Sequence, residues 1–203
     1  MCGIAGIIHR DGPSDMGVEI TKMLQSMKHR GPDSTGYALY SEPDDLVAIR
    51  FMLAEPREYG GFGIAERLER SRAEVESRLA KIGADLATIH SDTGYAFRAT
   101  VRYDGDLKPL ADYLEDVPGC EVLSLGSSLE IVKDLGDANT VMEQYSLDRI
   151  RGTHAIGHVR MATESDVDLA SAHPYWAYPF ADVAVVHNGQ LTNYHQWRRR
   201  LER

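Results

Sequence analysis

The residue at position 2 could combine a nucleophile and a base. Cys is small enough that an initiator Met before it is normally removed, which would leave Cys2 with a thiol and a free α-amine. An α-amine has a pKa of about 7.7–8.0, so part of it is neutral at pH 7 and can accept the thiol proton. Such a pair can attack an amide carbonyl and return the proton to the leaving nitrogen. The alternative is that Cys2 is one more small buried hydrophobic residue.

Asn188 and Gly189 carry groups that a developing oxyanion needs. Attack on an amide carbonyl builds negative charge on its oxygen, and fixed N–H donors stabilise that charge. The Asn188 side chain and the Gly189 backbone offer such donors, and glycine lets a backbone approach a substrate closely. Taken alone, the same dipeptide is typical of a hairpin turn.

Arg160 ends a predicted strand and opens the polar loop MATESD. Its planar guanidinium can bind a carboxylate at two points. A free amino acid carries such a carboxylate, so Arg160 is a candidate for substrate binding. For one arginine considered alone, a surface ion pair is the simpler interpretation.

Short strands at the two ends of the chain must position these residues. The apolar segment 2–9 predicts a buried strand that ends at the turn Asp11-Gly12-Pro13. His154–Arg160 predicts a second strand, with His154 and His158 on one face and no third ligand beside them. We therefore expect no metal site. Beyond position 194 the chain predicts a helix.

The middle of the chain has a different pattern. The glycine-rich segment HRGPDSTG at 29–36 predicts a loop, and residues 37–40 and 46–52 predict a pair of strands. Residues 55–145 then alternate between helical and strand patterns, which indicates an α/β insertion. This segment shows no catalytic constellation, so it is expected to be an accessory layer or a partner surface.

The composition excludes several classes of partner. The chain has 203 residues, a formal net charge of −9 at pH 7 and two Cys, at positions 2 and 120. Such an acidic surface repels phosphate backbones, so we expect no nucleic-acid partner. No apolar run approaches the roughly 18 residues of a membrane span, and the apolar run at 4–8 is too short for a signal peptide. Two distant Cys make no disulfide framework, so we expect a cytoplasmic location.

Five ordered motifs resemble those of the class II glutamine amidotransferase family, which are N-terminal-nucleophile hydrolases. They are MCGIAGI at the N-terminus, HRGPDSTG at 29–36, GHVRMATES at 157–165, AHPY at 172–175 and HNGQLTN at 187–193. The match covers residues 1–50 and 150–203 and leaves out the middle. Each motif alone is weak evidence, and the resemblance depends on the occurrence of all five in this order.

The resemblance implies a reaction and a fold. Cys2 would attack the side-chain amide of L-glutamine, release ammonia from a glutamyl thioester, and yield glutamate when water attacks. The implied fold is α+β, with two antiparallel sheets packed face to face between outer helices, an αββα sandwich. The chain is expected to be one glutamine amidotransferase type 2 domain over 1–203, with the insertion at about 55–145.

The resemblance also assigns roles by position. Asn188 and Gly189 match the oxyanion hole, and Arg160 matches the residue that grips the α-carboxylate of glutamine. Thr163 is expected in the loop that closes over glutamine, and Met161 beside Arg160. His187 and His173 are expected at the flanks of the site, without a proton-transfer role. The pair Arg30-Gly31 is expected near the nucleophile, where Arg30 supports the placement of Cys2.

Met161 narrows the resemblance to a subgroup. Many family members carry an aromatic residue directly after the arginine, whereas this chain has Met161 followed by ATES. That form is similar to stand-alone amidotransferase subunits related to glutamate synthase, including the first subunit of N-methylglutamate synthase. In such systems a separate flavin-containing synthase subunit uses the ammonia. We expect such a partner, and no cofactor in this chain.

One departure from the family pattern bears on substrate binding. The family places an acidic residue that holds the α-amine of glutamine some way past the HNG motif. This sequence ends fourteen residues after Gly189, within a predicted helix, and has no match for it. We expect a domain truncated at its C-terminal end, with completion of the site by a partner as the alternative.

Two other functions are kept in competition. A non-catalytic glutamine-binding or scaffold subunit would bind glutamine or a partner without releasing glutamate. A hydrolase of a different amide would use the same nucleophile but would be indifferent to the loss of Arg160, because its substrate has no α-carboxylate.

Overall fold

The computed structural model describes residues 2–162, 168–189 and 191–202. Within these residues the strands are β1 (Gly3–Ile8), β2 (Ser34–Tyr40), β3 (Val47–Met52), β4 (Asp85–Ser91), β5 (Ala96–Arg102), β6 (Glu121–Gly126), β7 (Leu129–Leu135), β8 (His154–Arg160), β9 (Tyr175–Trp176) and β10 (Ala184–Val185). The helices are α1 (Met16–Ser26), α2 (Ile64–Lys81), α3 (Leu107–Glu115), α4 (Ala138–Gln144) and α5 (Tyr194–Leu201).

The first sheet has the strand order β1–β8–β2–β7, and every neighbouring pair is antiparallel. Helices α1 and α4 cover one of its faces. The apolar side chains Met16, Ile20 and Leu24 recur every four residues along α1 and are fully buried. This stripe fixes which face of α1 meets the sheet.

The second sheet has the order β4–β5–β3–β6, also antiparallel. Helices α2 and α3 lie against it. The long helix α2 is highly charged, yet Leu68, Val75 and Leu79 form a buried stripe at helical spacing. Strand β7 of the first sheet packs on β3 and β6 of the second, so the two sheets face one another. The fold is the αββα sandwich that the family resemblance implies.

A buried ion network joins the two sheets. The Nε of Arg50 on β3 donates to Oε2 of Glu130 on β7 at 2.7 Å, and Arg98 on β5 donates to both oxygens of Glu130 at 2.8 Å. Arg50 also pairs with Asp92 at 2.6 Å. Burial alone would raise the pKa of Glu130, but the hydrogen bond from Arg98 and the charge of Arg50 outweigh it and hold the pKa at about 2.

Two predictions for the segment 29–52 are wrong. The strands expected to pair, β2 and β3, lie in different sheets, because the chain between them crosses from one sheet to the other. The expected loop at 29–36 is also shorter than predicted. A 3-10 helix occupies Lys28–Arg30. Strand β2 already begins at Ser34, which pairs with Leu135 on one side and Arg160 on the other. Pairing on both sides overrides the local turn preference of this segment.

The segment 55–145 is α/β in content, as the sequence indicates. The alternating helical and strand patterns expected in this segment correspond to α2, β5, α3 and β6. Its strands β4, β5 and β6 complete the second sheet, and β7 joins the first. The segment is therefore built into both layers of the sandwich and supplies much of its core.

The alternation of side chains along β8 sets up the functional face. A Cβ on Gly157 would meet Leu24 of α1, so Gly157 faces the helices. His158 and Arg160 have the opposite parity and face away from α1. Across the sheet, Ile4 of β1 pairs with His158, and Gly3 pairs with Val159. Residues just before β1 are therefore brought beside the exit of β8. Among the described residues, no helix is both long and apolar enough to cross a membrane.

Candidate active site

Cys2 lies one residue before β1, at the point where β8 ends. The backbone N–H of Met161 points to the Cys2 sulfur, with the nitrogen 3.5 Å from Sγ, and the Met161 carbonyl is 3.9 Å from it. The thiol is half-buried. The antiparallel pairing of β1 with β8 therefore holds the sulfur against the backbone that follows Arg160.

Arg30 and Gly31 approach the same point from the other side. The Nε of Arg30 donates to the carbonyl of Cys2 at 3.3 Å. A Cβ on Gly31 would lie 2.4 Å from the carbonyl carbon of Val159 and 2.5 Å from the nitrogen of Arg160. Only glycine allows this approach. The close packing of Gly31 on β8 is what brings Arg30 within reach of Cys2.

Asn188 joins the far end of the chain to Cys2. Its side-chain Nδ2 donates to the Cys2 carbonyl at 3.0 Å. An amide NH₂ has two donors, so the second can serve another acceptor in the cleft. Gly189 has a φ of +152°, and a Cβ there would also come within 3.2 Å of the His187 ring. Glycine is therefore favoured at 189 by both backbone conformation and space.

Arg160 is held at the end of β8 with a side chain only 7% exposed. Its Nη1 donates to the carbonyl of Asp168 at 3.0 Å and lies 3.9 Å from the Asp168 carboxylate. The Asp168 carboxylate in turn accepts from the backbone N–H of Ser171 at 2.8 Å. These contacts orient the guanidinium along the cleft wall. Thr163, expected in the closing loop, lies outside the described residues.

These residues meet in one open cleft. The cavity has a volume of about 1030 Å³, large enough for an amino acid. The expected site residues along it are Cys2, Arg160, Met161, His173, His187, Asn188 and Gly189. Arg30 contacts the Cys2 backbone from outside the lining. Within the described residues, no group of three or more His, Cys, Asp or Glu is arranged to hold a metal ion.

Two histidines line the floor of this cleft, His158 buried and His173 half-buried. The rings of His158 and His173 lie 4.9 Å apart between centroids. Burial and then the neighbouring His173 lower the pKa of His158 to about 4. Burial and then the neighbouring His187 lower the pKa of His173 to about 4. Both imidazoles are therefore neutral at pH 7.

The sequence prediction missed Asp33. Its Oδ2 accepts from the backbone N–H of Ala162 at 2.7 Å, and its own N–H donates to the Arg160 carbonyl at 3.1 Å. Asp33 therefore pins the backbone on both sides of Met161, next to the sulfur of Cys2. Its position within the motif HRGPDSTG is a signal that could have drawn attention to it.

Two relatives match this chain along its whole length. A protein of Methanothermobacter thermautotrophicus that is named as a glutamine amidotransferase is 37% identical over 211 residues, covering 100% of this chain and 66% of the relative. The glutamine amidotransferase-like protein GlxB of Rhizobium meliloti is 31% identical over 206 residues, covering 100% of this chain and 63% of the relative. No protein-family model matches the chain.

A shorter match identifies the class. The chloroplastic amidophosphoribosyltransferase of Glycine max is 47% identical over 75 residues, covering 36% of this chain and 13% of that protein. The chain belongs to the class II glutamine amidotransferase family. This amidotransferase chain spans somewhat less than two thirds of the length of the two relatives that match it throughout.

Proposed function

We propose that the chain is a glutaminase that hydrolyses L-glutamine to glutamate and ammonia through Cys2. After removal of Met1, the α-amine of Cys2 takes the thiol proton. The sulfur attacks the side-chain carbonyl of glutamine, and the amine returns the proton to the leaving nitrogen, so that ammonia departs from a glutamyl thioester. Water then attacks the thioester, releases glutamate and restores the thiol.

The observation that carries this proposal is the 3.0 Å contact between the Asn188 side chain and the Cys2 backbone. It supports an oxyanion hole made by the Asn188 side chain and the Gly189 backbone, because donors must already stand beside the attacking atom before charge develops. Arg30 supports the same geometry, since its hydrogen bond to the Cys2 carbonyl holds the nucleophile in position.

Arg160 is proposed to bind the α-carboxylate of glutamine. It is a buried cation in the lining of the cleft that contains Cys2, and a guanidinium pairs with a carboxylate through two parallel hydrogen bonds. Met161 would contribute its backbone beside the sulfur and His187 would border the bound substrate. Thr163 is proposed to lie in the loop that closes over it.

The ammonia is proposed to pass to a synthase partner. The names of the relatives that match throughout support an amidotransferase, and such an enzyme delivers nitrogen to an acceptor. The motif MATES supports a stand-alone subunit related to glutamate synthase, in which a flavin would belong to the partner and no cofactor to this chain. In this proposal, residues 1–203 belong to one glutamine amidotransferase type 2 domain of a cytoplasmic protein.

The direct test combines mass spectrometry of the intact chain with an assay of glutamate release from glutamine. We expect a mass that lacks Met1 and a Cys2→Ala variant without turnover. Retention of Met1 in an active protein would refute the amine as base. Glutamine binding without glutamate release would favour a binding subunit. Turnover of other amides that is unaffected by Arg160→Ala would favour a different hydrolase.

A further inference from the structure

The ring of His173 contacts the segment that leads into Asn188 and Gly189. Its Nδ1 accepts a hydrogen bond from the backbone N–H of His187, with the nitrogen atoms 3.4 Å apart. His187 directly precedes Asn188 in the chain. A donor stabilises an oxyanion only when it lies about 2.7–3.1 Å from that oxygen, so the backbone that carries Asn188 has to be fixed.

His173 is itself fixed by the first sheet. Its carbonyl packs on Gly36 of β2, where a Cβ would come within 2.0 Å of that oxygen. Its ring lies 4.9 Å from the ring of His158 on β8 and makes an edge contact with Tyr175 at 4.4 Å. His173 therefore connects a rigid strand surface to a loop at the mouth of the cleft.

His158 lies beneath His173 and faces the same loop. It is 1% exposed, and across the described residues neither ring nitrogen makes a hydrogen bond of ordinary geometry. The backbone of His187 is near enough to favour the charged form of this ring. A buried imidazole whose nitrogens make no hydrogen bond of ordinary geometry is costly to keep, which supports a positional role for His158.

We propose that His173 is a positioning residue for the oxyanion-stabilising loop, with the neutral His158 ring as its support. The inference rests on the proposed glutaminase function. His173 moves no proton in the reaction. It accepts the His187 N–H and so holds the Asn188 side chain where the negative oxygen of the reacting amide forms.

The electrostatics around His173 keep its Nδ1 available as an acceptor. Besides burial, the groups that face the ring are His187, Lys133 on β7, the Val185 backbone, Arg160 and His158 on β8, and the Tyr175 ring on β9. Lys133 and Arg160 disfavour a second positive charge, whereas the Val185 backbone favours it. Burial comes first among these influences and keeps the His173 ring neutral at pH 7. A neutral ring can leave Nδ1 unprotonated as the acceptor, whereas a protonated Nδ1 would donate and lose the bond to His187.

The test uses three substitutions at one position. His173→Asn keeps a hydrogen-bond acceptor near the position of Nδ1. His173→Gln places the acceptor further along the side chain, near the position of Nε2. His173→Leu removes the acceptor. We expect kcat for glutamine to fall roughly 10–100-fold in the Leu and Gln variants, with KM within about twofold, because a displacement near 1 Å can cost about 10²-fold. The Asn variant should recover most of the rate. Equal rates in all three variants, or a rate in His173→Leu equal to that of the unmodified protein, would overturn the inference.

Hydrogen exchange separates this inference from the glutaminase proposal. The His187 backbone N–H should be protected in the unmodified protein and in His173→Asn, and should exchange faster in His173→Leu, whether or not glutamine is turned over. Unchanged exchange in His173→Leu would refute the positioning role by itself. If exchange responds as expected but no variant and no unmodified protein releases glutamate, the glutaminase proposal fails instead. If the Leu variant does not fold, the comparison of Asn with Gln still decides.

Discussion

The side-chain amide of Asn188 donates to the backbone carbonyl of Cys2 at 3.0 Å, across 186 positions of sequence. The contact ties a loop near the C-terminal end to the residue before the first strand. Arg30 reaches the same carbonyl at 3.3 Å. Two separate segments thus converge on the backbone of the proposed nucleophile, and the predictions below follow from this arrangement.

Removal of the Asn188 donor should affect the chemical step. We expect Asn188→Ala to lower kcat for glutamine on the order of 10²–10³-fold, with a small change in KM, because an oxyanion donor acts mainly in the transition state. The measurement is steady-state glutamate release. Asn139→Ala, the same change on the exposed surface of α4, is the matched control and should leave kcat unchanged. A full rate in Asn188→Ala would exclude this residue as a donor.

The two cysteines should differ sharply in reactivity. Burial, together with Glu115 and Glu121, raises the pKa of the Cys120 thiol to about 12, so it carries almost no thiolate at pH 8. We expect a thiol-alkylating reagent to label Cys2 in the folded protein and to abolish glutamate release. Cys120→Ala should retain activity and the same labelling. Labelling of Cys120 in place of Cys2 would contradict the assignment.

Arg160 should control the apparent affinity for glutamine. We expect Arg160→Ala to raise KM roughly 10–100-fold, since a hydrogen bond to a charged group is worth about 1.5–3 kcal/mol. Arg160→Lys should retain only part of the apparent affinity for glutamine, because lysine lacks the two-point fork of arginine. Because Arg160 also contacts Asp168, its loss could affect folding. The melting temperature of each variant should therefore be measured together with its kinetics. The control is Arg102→Ala on the exposed end of β5, whose KM should match that of the unmodified protein.

Glu130 should be important for stability rather than for turnover. Glu130→Gln would remove the carboxylate shared by the buried Arg50 and the half-buried Arg98, and would leave Arg50 paired with Asp92. We expect the free energy of unfolding to fall by about 3–5 kcal/mol in urea denaturation at pH 7. Glu74→Gln removes an exposed i,i+4 partner of Arg78 and should have no measurable effect. Similar stabilities for both variants would show that the network is not a stabilising core element.

Acid should destabilise the fold through the histidine floor. The folded-state pKa values of His158 and His173 lie near 4, below the ordinary 6.5. Their neutral forms therefore contribute stability that is fully present above pH 6.5 and is lost as the pH falls towards 4. Between pH 7 and pH 5, the free energy of unfolding should fall by about 1–2 kcal/mol less in His158→Leu than in the unmodified protein. Urea denaturation at both pH values measures this, and the exposed His195→Gln is the control. An identical pH dependence in His158→Leu would argue against a depressed pKa at this site.

Much of the architecture follows from local patterns in the sequence. Strand β1 is predicted from an apolar run that ends at a turn, β8 from a strand pattern that leads into a polar loop, and the α/β content of residues 55–145 from alternating helical and strand patterns. The pairing partners of β2 and β3 are not predicted from such patterns. Strand pairing depends on contacts between residues far apart in the chain and on which layer a short connection enters.

The site residues also fall into two groups, those that the sequence indicates and those whose role needs the folded structure. Cys2, Arg160 and Asn188 belong to residue types and motifs whose chemistry can be inferred without coordinates. Asp33 and His173 act on backbone N–H groups of Ala162 and His187, 129 and 14 positions away. Such contacts leave no signature in composition or periodicity, since any residue supplies a backbone N–H. The motifs can draw attention to Asp33 and His173, but the folded arrangement is needed to show which N–H each side chain contacts.

Strand β1 begins at Gly3, immediately after the proposed nucleophile. A purification tag fused ahead of Cys2 would therefore both acylate the amine proposed to serve as base and lie beside the cleft that Cys2 lines. Recombinant protein prepared in that way should look well folded and yet be inert, and cleavage that leaves even one foreign residue should not revive it. Assays of this chain call for a tag at the opposite terminus or for a protease that exposes Cys2 itself.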